Sequence, residues 1–285
     1  MRLLEISKLT IVSILCLILT SCCCLNAKKN VSSHKITSGD DLVDIQSKGT
    51  IRFGVKRHAP PFSQKNNEGD LEGFDIDIAK SIAISLGLDL ELVPLDSKDR
   101  IPYLKDHTVD AVIATMTATR NREKDVDFTF SYYEDGQGLI CKKDSPIMSY
   151  KDLKNKKVGA AAGTTSYNNM GQVQPECSMV AFKNYNEGLA ALLEGKIDAF
   201  TGDYLVLKGL KHSHKQSDGL EVRGDRFTVE PYGIAVRQNQ SNFRDRLEKV
   251  LAEIWENGTW ESIHQKWLGE NTAYRSNDDF KMQDI

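Results

Sequence analysis

The chain lacks the short signatures of the commonest catalytic and cofactor sites. It has no His-Glu-x-x-His pair, no Gly-Lys-Ser/Thr phosphate loop and no Cys-x-x-Cys, so zinc hydrolysis, P-loop nucleotide chemistry and dithiol redox chemistry have no anchor. His212 and His214 stand among lysines in a loop-like stretch and read as solvated rather than metal-bound. No metal and no cofactor is expected. Basic blocks are also missing: the formal charge is -3 over 285 residues, and -4 once residues 1–21, with Arg2, Glu5 and Lys8, are set aside. A mildly acidic chain of this kind argues against nucleic acid as the main partner. The apolar run at 9–19 is too short for a membrane span. What is present, 40% hydrophobic and 27% charged residues, is ample for one or two ordinary α/β domains.

The apolar run follows Lys8 and has the length of the hydrophobic region of an export signal. Leu19-Thr20-Ser21-Cys22 then resembles a bacterial lipobox, in which Cys22 becomes the lipidated first residue of the mature protein; a plain secreted form is the alternative. Residues 1–21 are therefore expected to be a lipoprotein signal peptide and 22–43 a tether, since the stretch 28–40 is polar and contains Ser32, Ser33, Ser38 and Gly39. Such a product sits in the periplasm or on the cell surface, held to the membrane by its lipid anchor. Cys23 and Cys24 are left open between acylation, pairing and no role. Cys141 and Cys177 are left open between a disulfide and buried thiols.

The body reads as alternating strands and helices. An alternating strand at 51–56 is followed by a turn-rich stretch around Pro60 and Pro61. Phe74, Ile78, Ile82 and Leu86 then repeat at helical spacing toward Gly87. A strand at 90–94, a short helix around 100–104 and a buried strand at 109–114 complete a first half. The second half repeats the grammar, with strands at 138–141, 157–161, 179–182, 197–201 and 231–236 and helices at 187–194 and 203–210. This alternation predicts parallel sheets flanked by helices. Two closing helices place Trp260, Ile263 and Trp267 in the core, and 270–285 reads as a polar, frayed tail.

Chemistry concentrates after the strand at 109–114. Thr115 and Thr117 are two apart, so at an extended strand end both hydroxyls face one side, and Arg122 follows closely. Ligands of open α/β sheets lie at carboxyl ends of strands, and arginine offers a planar fork for a carboxylate. By residue pattern alone, a solvated helix-start arginine is an equal alternative. The turn at 159–165 opens a helix whose free N–H groups and dipole favour an anion.

The segments GFDIDIAK, VDAVIATMTATRNREKDVDF, AAAGTTSY, IDAFTGD, PYGIAVR and NGTWESIHQKWLG, in this order and at these distances, resemble the solute-binding proteins of polar amino-acid ABC transporters, family 3. The resemblance covers roughly residues 48–269. It implies a two-lobed periplasmic binding protein fold of type II, with each lobe a mostly parallel sheet flanked by helices. Two hinge crossovers are implied near Glu134 and Glu230. Lobe 1 is then discontinuous, 44–134 and 232–269, and lobe 2 is 135–231. The resemblance also implies a ligand set: Arg122, Thr117 and the backbone of Thr115 and Met116 for the α-carboxylate, Thr164 and Thr165 to complete that site, and Asp203 for the α-ammonium. Asp203 has helix capping as its alternative. Tyr185 stands where some members place a tyrosine near the ligand, with packing as its alternative. Lys56 and Arg100 fall at positions that contact the ligand side chain, and their GVK and RIP contexts are similar to the glutamate- and aspartate-binding branch. Ala59 replaces a stacking aromatic found in many members, leaving Phe62 as a wall.

The expected function is capture of an amino acid, glutamate or aspartate, by hinge closure and its delivery to a membrane ABC permease, with the chain a monomer and not an enzyme. The alternatives are a binder of glutamine or a basic amino acid, a cyclohexadienyl or arogenate dehydratase-like enzyme on the same fold, and an adhesin or sensor.

Overall fold

The computed structural model describes residues 39–214, 217–276 and 280–282. The expected signal segment, Cys22 with Cys23 and Cys24, and most of the tether lie outside these residues. Folded structure begins inside the stretch expected as tether, with helix α1 (Asp41–Lys48). Asp40 caps it by accepting the Leu42 N–H at 3.0 Å, and Gly49 ends it at φ 71°. The buried Asp41 carboxylate accepts from Arg237 Nε at 2.7 Å, which docks the helix on the body.

The chain continues through β1 (Thr50–Lys56), a small hairpin β2 (Gln64–Lys65) and β3 (Leu71–Glu72), α2 (Phe74–Leu86), β4 (Asp89–Leu95), α3 (Arg100–Lys105), β5 (Ala111–Val112) and the long β6 (Val126–Asp135). Past Gly136 it enters β7 (Gln137–Lys142), then β8 (Lys157–Ala161), α4 (Thr165–Val173), β9 (Ser178–Phe182), α5 (Tyr185–Leu193), β10 (Ala199–Asp203), α6 (Tyr204–Ser213) and β11 (Leu220–Arg223). It returns along β12 (Glu230–Arg237) and closes with α7 (Ser241–Glu256) and α8 (Thr259–Leu268). One sheet has the order β4-β1-β5-β12-β6 and the other β11-β7-β10-β8-β9. The architecture is the expected two-lobed α/β fold.

The sheets are mixed rather than mostly parallel. β4, β1 and β5 run parallel, as do β10, β8 and β9, but β12 and β6 in one sheet and β7 and β11 in the other run antiparallel to their neighbours. The cause is the crossing itself. β6 leaves the first lobe where β12 re-enters it, and two passes of the chain over one border in opposite senses pair antiparallel: Asp135 is registered with Glu230 and Tyr133 with Tyr232.

Helices α2, α7 and α8 pack on one another and against the first sheet. Trp260, Ile263 and Trp267 are buried there as expected. The tail departs from its expected fraying in its described part: Met282 is buried, and the Phe280 ring lies 5.7 Å from that of Tyr133. These two apolar side chains supply the contact that its polar composition hides. Cys141 and Cys177 are both free thiols. Among the described residues no helix is long and apolar enough to cross a membrane, and no cluster of metal-ligating side chains occurs.

Candidate functional site

The site forms where the carboxyl ends of β1, β5 and β10 face the opening of α4. Lys56, the last residue of β1, is 3% exposed. Its Nζ donates to Ser97 Oγ and stands 4.9 Å from the centroid of the Tyr185 ring. Burial, aided by the charge of Arg100, pulls its pKa well below the usual lysine value.

Arg100 opens α3 and is 2% exposed. Its Nε donates to Ser97 O at 2.9 Å, Nη1 to Ala114 O and Thr115 O at 3.1 Å each, and Nη2 to Gly163 O at 2.8 Å. Four of the five N–H groups a guanidinium carries are thus held by backbone carbonyls. Arg100 thus braces α3, the loop after β5 and the second lobe, and one N–H of its fork is left for the ligand side chain expected there.

Arg122, in a short 3-10 turn, donates from Nη1 to Thr117 O at 2.7 Å and from Nη2 to Gly163 O at 3.1 Å. It keeps more of its fork free than Arg100 does. Burial, and then the neighbouring Arg100, lower its pKa to about 9. Both arginines reach one carbonyl of the other lobe, at a glycine the geometry requires. Gly163 has φ 81°, and a Cβ there would lie 2.5 Å from Lys98 Cα.

The expectation that Thr115 and Thr117 share a side does not hold, because β5 ends at Val112 and Thr115 takes φ 44°. That strained turn is held by Asp75, a buried residue of the GFDIDIAK segment that the sequence reading did not single out. Asp75 Oδ2 accepts the Thr115 N–H at 2.9 Å and Oδ1 accepts the Tyr132 hydroxyl at 2.9 Å. Burial raises the Asp75 pKa to about 7. The Thr115 N–H is therefore engaged by Asp75 and its carbonyl accepts from Arg100, while its buried Oγ1 has no partner among the described residues. Met116 buries its side chain in a core cluster with Leu95 and Leu104, and its carbonyl accepts from Gly233 N at 3.2 Å.

Thr117 and Thr165 both donate their hydroxyls to Glu230 Oε2, at 2.6 and 2.9 Å. Glu230, 1% exposed at the second crossover, was also missed by sequence reasoning, although it directly precedes the PYGIAVR segment. Thr164 Oγ1 donates to Ala161 O at 2.7 Å within its own turn. Phe62, expected as a wall, is fully buried, with the rings of Phe74, Tyr133 and Tyr232 at 5.9, 5.6 and 5.5 Å.

Asp203 ends β10 and is 4% exposed. It stands at the N-cap position of α6, yet its side chain makes no capping hydrogen bond, so the capping alternative falls away. Burial, reinforced by the charges of Glu230 and Asp135, raises its pKa to about 7, against the pull of Lys56. Tyr185 is buried edge-on to Phe200 at 6.0 Å, and its hydroxyl has no partner among the described residues. Beside Arg122 a cleft of about 860 Å³ opens between Ile101 and Thr119 of one lobe and Gly163, Thr165 and Asn169 of the other. Once Asp96, paired with Arg57 at 3.8 Å, and Asp135, paired with Arg226 at 2.7 Å, are set aside, the buried charges around the cleft are three cations, Lys56, Arg100 and Arg122, and three carboxyls, Asp75, Asp203 and Glu230.

A profile of bacterial extracellular solute-binding proteins, family 3, matches residues 51–270. The chain belongs to that family. Among family 3 relatives, an ABC transporter glutamine-binding protein of Bacillus subtilis (strain 168) is 38% identical over 274 residues, covering 94% of this chain and 99% of the relative. A glutamate/aspartate import solute-binding protein of Salmonella typhimurium is 27% identical, covering 81% of this chain and 80% of the relative. A solved ancestral arginine-binding protein bound to glutamine is 40% identical with a TM-score of 0.74, covering 78% of this chain and 99% of that one. The named relatives of this family 3 chain are solute-binding proteins of transport systems, not enzymes, and the chain is one of them.

Proposed function

We propose that this family 3 protein captures L-glutamine outside the cytoplasm, by closure of its two lobes, and hands it to an ABC permease. One observation favours glutamine over the glutamate or aspartate expected from the GVK and RIP contexts. Counting Lys56, Arg100 and Arg122 against Asp203 alone leaves an excess of positive charge that a dicarboxylic ligand would complete. The structure adds Asp75 and Glu230 to the same buried set, so cations and carboxyls are equal in number. A ligand with no net charge keeps that balance, whereas a second ligand carboxylate would add an uncompensated buried charge. The free fork of Arg122 suits the ligand α-carboxylate, Asp203 its ammonium, and Lys56 with the Tyr185 hydroxyl a side-chain amide. The identities support the same choice, 38% to a glutamine binder against 27% to a glutamate/aspartate binder.

Calorimetric titration of the purified protein with L-glutamine, L-glutamate, L-aspartate and L-arginine tests this. L-Glutamine is expected to bind tightest. Tighter binding of L-glutamate would restore the dicarboxylate reading, and tighter L-arginine would overturn the charge count.

We also infer that residues 1–21 direct export and that Cys22 is lipidated, on the strength of Leu19-Thr20-Ser21-Cys22. Membrane fractionation of Cys22→Ala checks it: the protein should move from the membrane to the soluble extracytoplasmic fraction, and an unchanged membrane fraction would refute the anchor.

A further inference from the structure

Glu230 lies at the head of β12, registered opposite Asp135 of β6 where both crossovers leave the first lobe. Five donors converge on its carboxylate. Thr117 and Thr165 reach Oε2, and Gln137 Nε2, Asn169 Nδ2 and Thr228 Oγ1 reach Oε1 at 2.7, 3.0 and 3.0 Å. Thr117 follows β5 in the first lobe, while Thr165 and Asn169 belong to α4 in the second. A carboxylate only accepts and a threonine hydroxyl carries one hydrogen, so each threonine that bonds Glu230 has given it that hydrogen. Thr165 confirms the direction independently. Its oxygen also accepts from Gln137 Nε2 at 3.1 Å, which leaves its own hydrogen for Glu230.

We propose that Glu230 is a positioning residue that sets the polarity of the ligand site and joins its two walls: by taking the hydrogens of Thr117 and Thr165, it turns oxygen lone pairs, not donors, toward the cleft. The two threonine hydroxyls are then poor partners for the ligand α-carboxylate, which falls to Arg122 and backbone N–H groups, and good partners for a ligand ammonium or amide N–H. One carboxylate at the crossover thereby orients the ligand from outside the cleft. This rests on the amino-acid reading above only for the ligand's identity; the joining of the lobes does not.

The test is a mutant cycle with L-glutamine as probe, using Thr117→Val, Glu230→Gln and the double variant. It is combined with pulsed electron-spin distances between nitroxide labels on the exposed positions Ile84 and Val173, one on each lobe. Glu230→Gln is expected to weaken L-glutamine binding about tenfold to a hundredfold, the span of hydrogen bonds to a charged group. Thr117→Val should then cost less in the Glu230→Gln background than in the parent, because the bond between the two residues is already broken and only the oxygen acceptor remains to be lost. Additive losses would mean that Thr117 gives its hydrogen to the ligand, and would overturn the assignment of polarity. Without added amino acid, Glu230→Gln should lengthen or broaden the interlobe distance, and an unchanged distribution would overturn the joining role. If the parent protein binds no amino acid, the proposed function fails while the distance measurement still decides for or against Glu230 as the link between lobes.

Discussion

The two walls of the cleft hold their charges differently. On the first lobe the cations are tied into protein: Arg100 is braced by four carbonyls and Lys56 by Ser97, and Asp75 pins the strained turn at Thr115. On the second lobe Asp203 leaves its helix uncapped, and the Tyr185 hydroxyl has no protein partner. Each wall combines groups locked in advance with groups left over among the described residues: Thr115 Oγ1 and the unengaged N–H groups of Arg122 on the first lobe, and the Tyr185 hydroxyl on the second. This division places the geometric cost of selectivity in folding rather than in binding, since a side chain locked beforehand loses no freedom when the ligand arrives. In the binding mode proposed above each lobe is insufficient alone, because the carboxylate grip and the ammonium acceptor would lie on opposite sides.

The largest break in this arrangement should come from Arg122→Ala. Removing the fork of a buried guanidinium is expected to weaken L-glutamine binding more than a hundredfold, measured by calorimetry, if charged hydrogen bonds contribute about 1.5–3 kcal/mol each. Next is Asp203→Asn, with a loss of about tenfold to a hundredfold and a changed response to pH. Burial holds Asp203 at about 7, and an ammonium needs it ionised. Affinity in the parent should therefore rise between pH 5 and pH 7 and level off above, and the asparagine variant should be flat. The stability sign is opposite. A folded-state pKa raised above the unfolded value of about 4 means that the folded form keeps its proton longer, so this group's contribution to stability falls as pH rises from about 4 to about 7. Thermal melts at pH 7.5 should show Asp203→Asn more stable than its parent although it binds less well.

A subtler break concerns closure. Gly209 lies inside α6, where a Cβ would come within 2.0 Å of Pro60 O on the first lobe. Glycine within a helix costs about 1 kcal/mol relative to alanine. Gly209→Ala is thus expected to leave the melting temperature unchanged or raise it, while binding weakens about tenfold because the lobes no longer meet. The smallest effect belongs to Lys56→Met, which removes a desolvated ammonium. It should change L-glutamine affinity severalfold and sharpen the comparison with Arg100→Met, where the braced strut is lost and melting temperature, rather than ligand preference, should fall.

Much of the scaffold was legible because its periodicity is local. α2 runs from Phe74 to Leu86 and ends at Gly87 as the spacing and the glycine predict, and β10 ends at Asp203. The long β6 went unread although Val126, Phe128, Phe130 and Tyr132 alternate with Asp127, Thr129 and Ser131 at the period of a strand, and its role as a crossover is a property of chain path rather than of composition. Asp203 was legible as a charged residue at the end of a strand, and Arg122 as one in the loop that follows a buried strand. The bracing of Arg100 was not legible, since carbonyls from Ser97, Ala114, Thr115 and Gly163 meet on it only after folding. Glu230 carried no local signal either: its partners Gln137 and Thr165 are 93 and 65 residues away. The ring cluster around Phe62 was not legible, because a buried aromatic and a ligand-stacking aromatic look alike in sequence.

The pairing of Asp135 with Glu230 has a genetic meaning as well. The whole second sheet with its helices lies between these two residues, so it is one uninterrupted piece of coding sequence whose two ends sit side by side as ladder neighbours. Such a piece can be lifted out or exchanged as a cassette without rerouting the rest of the chain. Recombination at only two points would hand the basic wall a different acidic partner and leave the hinge ribbon to be rebuilt by a single strand pairing.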